Sequence, residues 1–419
     1  MSVVLRDDQL VAIYKMHNGC ILCGDTGSGK SLTALGYYYK INGGTFVNGS
    51  MSRSMHNPMD LVIITTAATR DKHGWDHELL SIYMSQNQDA NFYHNRVVVD
   101  SWNNIAKYTG ATNCFFIFDE QRVVGSGAWV KAFYKIVARN KWILLSATPG
   151  DKWEDYIPVF VANGFYRNKT EFIREHIVYR PRVDFPIVER YLGEAKLQRL
   201  RDSILVDIDY NPFTTQHHET IIVDYDRDLY RFVGRERRSP FETLVVNGKT
   251  YQKPISNASE YCSVLRKVVN SDPSRQKALL DILKGKDRVI VFYNFDFELD
   301  ILRKLDYGKP VYEWNGHNHD KLPEQGNWIY LVQYLAGNEG WNCISTNYMV
   351  FFSENYSYRI MKQAAGRIDR SNTKYTDLYY WHLRTTSNID LAINKALTQK
   401  KKFNQAAFYK RAANTERRG

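Results

Sequence analysis

Unbroken apolar runs of strand length recur through residues 1–150: "GCILCG", "LVIITTA", "RVVVDSW", "CFFIFDE" and "WILLSAT". Each is bounded by polar or turn-forming residues. A half-exposed strand alternates apolar and polar positions, whereas a continuous run marks a strand buried on both faces, as in a parallel sheet covered by helices. The stretches between the runs fit that reading. "GAWVKAFYKIVAR" sets Trp129, Val130, Phe133, Ile136 and Val137 at helical spacing, and "SLTALGYYYK" follows the first run as a helix. Buried strands alternating with helices predict an α/β architecture built on a parallel sheet.

The pattern changes after residue 150. "YIPVFVANGF", "KTEFIREHIVY", "PRVDFPIVERY" and "KLQRLRDSI" are mixed and largely helical, punctuated by Pro158, Pro181, Pro186 and Pro212. They predict a connecting region. A strand is expected again in "ETIIVDYD" (219–226), a helix in "RDLYRFVGRER", and a hairpin over 243–252 whose Asn247-Gly248 suits a type I′ turn. A second α/β series follows: a helix in "SRQKALLDILKG", strands in "RVIVFYNF", "WIYLVQYL" and "YMVFFSE", a helix in "YRIMKQAAGRI" and a strand in "DLYYWHL". The chain thus divides into an α/β lobe over 1–150, a helical connector over 151–218, a second α/β lobe over 219–398 and a tail over 399–419. Its 419 residues exceed one ordinary core and suit two domains.

Charge changes the picture by its placement. The formal net charge is +11, which points towards a polyanion. Residues 1–150 hold 14 Lys/Arg against 11 acids, whereas residues 395–419 hold eight against one, so the body between is near neutral. The tail reads equally as a solvated helix end or as a polyanion contact. Five cysteines, odd in number and scattered, exclude a disulfide framework and suggest a reducing, cytoplasmic location. Cys20 and Cys23 form a CxxC without a second pair or a histidine partner, which favours burial in a strand over zinc. His217-His218 and "GHNHD" (316–320) lack a carboxylate or cysteine set at ligand spacing and are expected in polar loops. No run reaches membrane-span length, and "MSVVLRDDQ" lacks a signal-peptide pattern, so no membrane partner is expected.

Two stretches carry chemistry. "GDTGSGKS" (24–31) fits G-x-x-x-x-G-K-[ST] between a strand and a helix. Gly24, Gly27 and Gly29 let the backbone N–H groups of the loop, with Thr26 and Ser28, turn inward around phosphate oxygens. Lys30 can reach the β- and γ-phosphates, and Ser31 can ligate Mg²⁺ at the start of the helix. In "FFIFDE" (115–120), an apolar strand ends on two carboxylates. Acids rarely sit there without a partner. Beside a phosphate cradle, Asp119 is the candidate for holding the metal through water, and Glu120 the base or water-positioning group. ATP and Mg²⁺ are the expected cofactors.

Further motifs follow in order: "SATP" (146–149) after a strand, "GNEGWN" (337–342), and "QAAGRIDR" (363–370), which fits Q-x-x-G-R-x-x-R. In this order and spacing the chain resembles superfamily 2 helicases, most closely the Snf-type (Swi/Snf-like) translocases in the compact form carried by bacteriophages. The resemblance runs from about residue 5 to 400. It implies two tandem RecA-like lobes with ATP in the cleft between them. "LRDDQ" (5–9) is similar to the adenine-recognition element, with Gln9 on the base edge, where an amide offers one donor and one acceptor, and Arg6 nearby. Ser146 and Thr148 fill the motif that couples hydrolysis to lobe movement. "KHGWDHEL" (72–79) resembles the family's W-x-x-E helix. Gln363, Arg367 and Arg370 occupy the second lobe's catalytic motif, and either arginine could act as a finger on the γ-phosphate. Gly340 and Asn342 match nucleotide-site positions. Thr65, Ser101, Trp102, Asn294, Gly337 and Trp341 match positions that touch a nucleic-acid strand. Two departures stand out. Gln121 and Arg122 follow the acids where the family has a small residue and then His, Gln or Asp, and "SAT" replaces the Snf-type "TGT".

The resemblance implies a Mg²⁺-ATP-dependent translocase or helicase, able to work as a monomer, acting on DNA (single-stranded, forked or duplex) in phage replication or recombination, with phage replication proteins as further partners. An RNA helicase is the first alternative, suggested by "SAT". An ATP-switched DNA-binding or remodelling module without strand separation is the second, and a degenerate ATPase kept as a scaffold the third. The hairpin over 243–252 reads as structural decoration or as a strand-separating wedge.

Overall fold

The computed structural model describes residues 4–25, 27–120, 123–150, 152–180, 188–210, 212–246, 249–337, 343–370, 372–400 and 403–416. They form two compact units, Met1–Pro212 and Phe213–Gly419. Each is built on one six-stranded sheet whose neighbouring strands all run parallel. Helix-flanked parallel sheets in series are the tandem RecA-like arrangement the sequence leads one to expect.

In the first unit the strand order is Leu205–Asp207, Ile21–Cys23, Lys141–Ser146, Cys114–Phe118, Asp60–Thr65, Val97–Ser101. The unbroken apolar runs are explained by burial on both faces. Phe115 and Ile117 join Leu22 in one core, while Phe116 and Phe118 join Ile21 in the other. Removing any one of these rings to alanine would cost about 3–5 kcal/mol. Register then places the chemistry. Cys23 lies opposite Ser146 and Phe118 opposite Ile64, so the glycine loop, Ser146 and Asp119 all leave the sheet at its carboxyl edge. That edge is where parallel α/β sheets bind ligands.

The boundary at residue 150 is corrected by the structure. Residues up to 212 belong to the first unit, and Leu205–Asp207 pairs with the strand that feeds the glycine loop. Phe160, Phe172, Leu197 and Ile204 complete that unit's second core. The three-residue edge strand is too short to register as an apolar run, and a hairpin of Ile177–Tyr179 with Val188–Tyr191 interrupts the expected helical stretch.

The second unit orders its strands Thr215–Ile222, Asp377–Arg384, Tyr348–Phe351, Arg288–Tyr293, Trp328–Gln333, Val311–Trp314. Arg238–Val246 and Lys249–Pro254 form the expected antiparallel hairpin; its turn residues lie outside the described ones. Two expectations change here. His217 and His218 sit on an edge strand rather than in a loop, because their strand pairs along its whole length with Asp377–Arg384. The tail is a docked element: Phe403 is buried, and the helix Gln405–Glu416 packs Phe408, Tyr409 and Ala412 against the core. Cys20 and Cys23 are buried in and beside the loop strand, and burial pushes both thiols up to about 12. Among the described residues no helix is long and apolar enough to cross a membrane.

Candidate active site

The glycine loop runs from the strand Ile21–Cys23 into the helix Lys30–Ile41. Gly27 and Gly29 hold φ of 84° and 82°, the left-handed region that side chains disfavour. Space is equally restrictive. A Cβ on Gly29 would lie 2.5 Å from Gln9 Nε2, and one on Gly24 would lie 2.5 Å from Ser28 Oγ. The helix opens without an acidic residue in its first turn, so its partial positive charge is left for an outside anion. Lys30 Nζ donates to the loop carbonyls of Gly24 (2.7 Å) and Asp25 (2.9 Å), which holds the ammonium across the cradle. Ser28 Oγ is buried without a hydrogen-bond partner. An orphan hydroxyl, a lysine folded over its own loop and glycines that admit no Cβ suit a bound phosphate chain. Ser31 lies on the first turn of the same helix.

Gln9 takes a different place from the base-edge role the resemblance implies. It is buried, accepts from the Arg6 backbone N–H (3.0 Å) and donates to the Gly29 carbonyl (3.3 Å). Arg6 Nη2 donates to the Ser28 carbonyl (2.7 Å), and its guanidinium pairs with Asp8 and lies 4.7 Å from the Tyr210 ring centroid. Both side chains therefore brace the glycine loop from below. Tyr210, from the segment read as connector, is a site neighbour that no local pattern marks.

Asp119 follows the apolar strand, its N–H bonded to the Ile64 carbonyl at 2.8 Å. Its Oδ2 accepts from Thr65 Oγ1 (2.8 Å) and Trp75 Nε1 (3.3 Å). Burial, and then the charge of Glu120, push the Asp119 carboxyl up to about 6, against the opposing pull of Thr65, Lys30 and Trp75. A carboxylate held so unfavourably gains most from a cation. Glu120 has φ of 53°, a strained conformation for a residue with a side chain. Gln121 and Arg122, where the pattern departs, lie outside the described residues. Ser146 ends the strand between the two motifs, and its Oγ accepts from the Thr148 N–H (3.1 Å). Mg²⁺ would be held here by Ser31 and Asp119 together with phosphate oxygens; among the described residues no cluster of three or more His, Cys, Asp or Glu could hold a metal by itself.

In the second unit, Gln363 lies on the helix Tyr358–Ala365. The helix stops there, so Arg367 and Arg370 stand in the turn and coil beyond it and do not share a helical face as their spacing suggests. Arg367 is buried. Burial, and then the neighbouring Arg367, lower Arg370 to about 9, with Asp369 opposing. Asp369 itself accepts from Thr214 Oγ1 (2.8 Å) and Gln216 Nε2 (2.7 Å).

The side chains expected on a nucleic-acid strand are mostly committed inside the fold. Trp102 is 2 % exposed, stacks on Phe118 at 5.6 Å and donates to the Asp119 carbonyl at 2.9 Å. Thr65 is buried against Asp119, and Ser101 is buried and accepts from Arg70 at 3.2 Å. Asn294 donates to Ser353 Oγ (2.7 Å) and accepts from Asn355 Nδ2 (2.8 Å). Their motif positions lie at strand ends, where register directs these side chains into the sheet's own polar network. Gly337 ends the short helix Tyr334–Gly337; Thr26, Gly340, Trp341 and Asn342 lie outside the described residues. Trp75, read only as part of a family helix, is the site residue the sequence underrated.

No family model and no curated protein matches this chain. Among solved structures it is similar to the SWI2/SNF2 ATPase core of Sulfolobus solfataricus in complex with dsDNA, at 13% identity and a TM-score of 0.42 over 96% of this chain and 92% of that one. It is also similar to the SWI2/SNF2 ATPase core domain of the same organism, at 12% identity and a TM-score of 0.39 over 97% and 93%.

Proposed function

We propose that this chain is a Mg²⁺-dependent ATP hydrolase that moves along or remodels nucleic acid, DNA in the first place, in phage replication or recombination. The observation that carries the hydrolase reading is the conjunction at one sheet edge: a left-handed glycine cradle under Lys30, and a half-buried Asp119 whose carboxyl is held up to about 6 beside the strained Glu120. Lys30 would exchange two loop carbonyls for phosphate oxygens as nucleotide enters. Asp119, held in place by Thr65 and Trp75, keeps its second oxygen for the metal's water shell, and the bound metal would neutralise charge building on the phosphates. Glu120 would orient the attacking water. Arg370, lowered by burial and by the neighbouring Arg367, would regain stability on meeting the γ-phosphate.

That the output is movement along nucleic acid rests on the motif order and on the division of these groups between two α/β units. Hydrolysis that waits for a cation from the other unit makes bond cleavage conditional on conformation, the requirement for stepping. The deciding experiment is phosphate release at stated salt with single-stranded, duplex, forked and four-way-junction DNA and with RNA. Stimulation by DNA is expected, and Lys30→Ala should abolish turnover. Stimulation by RNA alone would overturn the DNA assignment. DNA binding switched by ATP, without triplex or strand displacement, would replace the motor by a clamp. Turnover unchanged in Lys30→Ala would overturn the site.

A further inference from the structure

The second unit carries a groove of about 590 Å³ that none of the motifs touches. One wall is the helix Arg227–Glu236, which sets Arg227, Arg231 and Arg235 four residues apart. That spacing repeats nearly once per helical turn, so the three cations form a stripe with steps of about 6 Å. All three are exposed. The helix's other side is fixed, because Val233 is buried and Leu229, Tyr230 and Phe232 pack on the core, so the stripe cannot turn inward. Arg411 enters from the docked C-terminal helix, and Tyr225 and Tyr230 also line the groove, their rings 5.4 Å apart and nearly perpendicular.

A solvated helix face normally interleaves acids with its bases. Here Asp226, Asp228 and Glu236 are exposed on or beside the same helix, yet among the described residues only Asp228 pairs with one of the three arginines. Among the described residues Arg227 and Arg235 have no carboxylate partner, and the Asp228 that meets Arg231 at 3.1 Å is itself 93 % exposed. Such an exposed pair contributes little and yields to a stronger anion. Evenly spaced guanidinium groups beside aromatic rings match a flexible chain that alternates phosphates with flat bases. An acidic peptide would satisfy the arginines but make no use of the Tyr225 ring, which already lies 6.0 Å from the Arg227 guanidinium and could share that cation with a stacked base.

We infer that this arginine-lined groove is a second nucleic-acid site, one that holds a single strand by its phosphates and stacks bases on Tyr225. The choice of ligand rests on the nucleic-acid reading above; the site itself does not depend on ATP hydrolysis. It would keep the second unit attached to a strand while the motif surfaces release, and it gives the docked terminal helix a role as the groove's far wall.

The test uses the full chain and a fluorescein-labelled oligothymidine, with anisotropy followed across a salt series. Replacing Arg227, Arg231 and Arg235 by alanine should weaken binding at least tenfold at low salt. The slope of log affinity against log salt should fall by about 2, the share of three single-strand phosphate contacts. The triple lysine variant should keep most of the slope, which separates lost charge from lost folding, and Tyr225→Ala should weaken the oligonucleotide but not polyphosphate. An unchanged slope in the triple alanine variant overturns the inference, as does tighter binding of polyglutamate than of oligothymidine. Lys30→Ala separates the two readings: it should stop turnover and leave groove binding intact. If the wild type hydrolyses no ATP but shows the arginine-dependent slope, the hydrolase reading fails and the groove stands.

Discussion

Both units run an apolar parallel strand into a helix at the carboxyl edge of a six-stranded sheet, and they treat the helix N-terminus in opposite ways. In the first unit the turn is glycine-rich, the first helical turn holds no acid, and the helix dipole faces an open cradle. In the second, Arg288–Tyr293 leads through Asn294 and Phe295 into Asp296–Leu302, and the helix's own Glu298 fills the equivalent place. One Glu298 oxygen accepts from the Asn294 N–H (2.7 Å), the Phe295 N–H (3.3 Å) and Ser353 Oγ (2.9 Å); the other accepts from Asn270 Nδ2 (2.6 Å). A fixed carboxylate takes up the N–H groups that lead into this helix. One architecture thus yields a helix start without an acid in one unit and a start closed by its own carboxylate in the other. The arginines proposed to act in the reaction, Arg367 and Arg370, lie at a different turn of the second unit.

The largest expected effect tests that division of labour. Arg370→Ala should lower turnover by roughly 10³–10⁵ while ATP still binds, because the cradle lies wholly in the first unit. Arg370→Lys should not restore the rate, since a point charge lacks the forked geometry. Phosphate-release kinetics beside a nucleotide-binding titration separate the two quantities. Equal losses in binding and turnover would mean that Arg370 shapes the fold and does not act on phosphate.

A second test converts one helix start into the other. Leu32 occupies the position in the loop helix that Glu298 occupies in its own, the third residue of the helix. Leu32→Glu should give the first unit a carboxylate able to cap its own helix and repel phosphate. The dipole and charge terms involved are about 1–2 kcal/mol, so ATP should bind roughly tenfold more weakly. Unchanged affinity would show that the glycine backbone, not the open helix terminus, governs the cradle.

These contrasts also mark what the sequence disclosed. The cradle and the acid pair were legible because each is local: eight residues in "GDTGSGKS", and a strand that announces itself by continuous burial in "FFIFDE". The two-sheet architecture was legible for the same reason. The roles of Gln9, Thr65 and Trp102 were not, because they depend on which strand lies beside which. Thr65 reaches Asp119 only through the pairing of Ile64 with Phe118. The strand Leu205–Asp207 escaped because three residues carry no period, and the docked tail because its apolar face is interleaved with lysines and arginines.

Plugging the second unit's helix has a cost that can be measured. Glu298→Gln keeps the shape but turns an all-acceptor group into one with an N–H₂ facing donors. Asn294, Phe295 and Ser353 then donate to a neutral oxygen in place of a carboxylate, and the N–H₂ faces Asn270, whose amide must turn its Oδ1 inward to accept it. A loss of roughly 1–3 kcal/mol is expected, read as a lower urea midpoint for the second unit. The first unit should keep its own transition. A change there instead would place the stabilising role of Glu298 outside its unit and undo the contrast.

The smallest effect concerns acid. The second unit's edge strand carries His218, whose Nδ1 lies 3.0 Å from His382 Nε2, while His382 Nδ1 lies 3.0 Å from Glu354 Oε1. Burial, and then the charges of His382 and Arg384, lower His218 from 6.5 to about 4. Glu354 is buried, which would raise it, but His382 and Arg384 hold it below its ordinary value. Both groups bind protons less readily in the folded unit than in the unfolded chain. Their stabilisation is therefore present at neutral pH and is lost as pH falls, for His218 across the window from 6.5 to about 4. The first unit's matching edge strand, Leu205–Asp207, carries no histidine. The second unit should accordingly lose melting temperature faster than the first on acidification, by a few degrees given that His218 is partly exposed to solvent. His218→Gln should flatten that difference by removing the proton that the folded unit refuses. If acidification lowers both transitions equally and His218→Gln changes neither, the His218–His382–Glu354 line is no more than a surface contact, and the units differ only in how they end their helices.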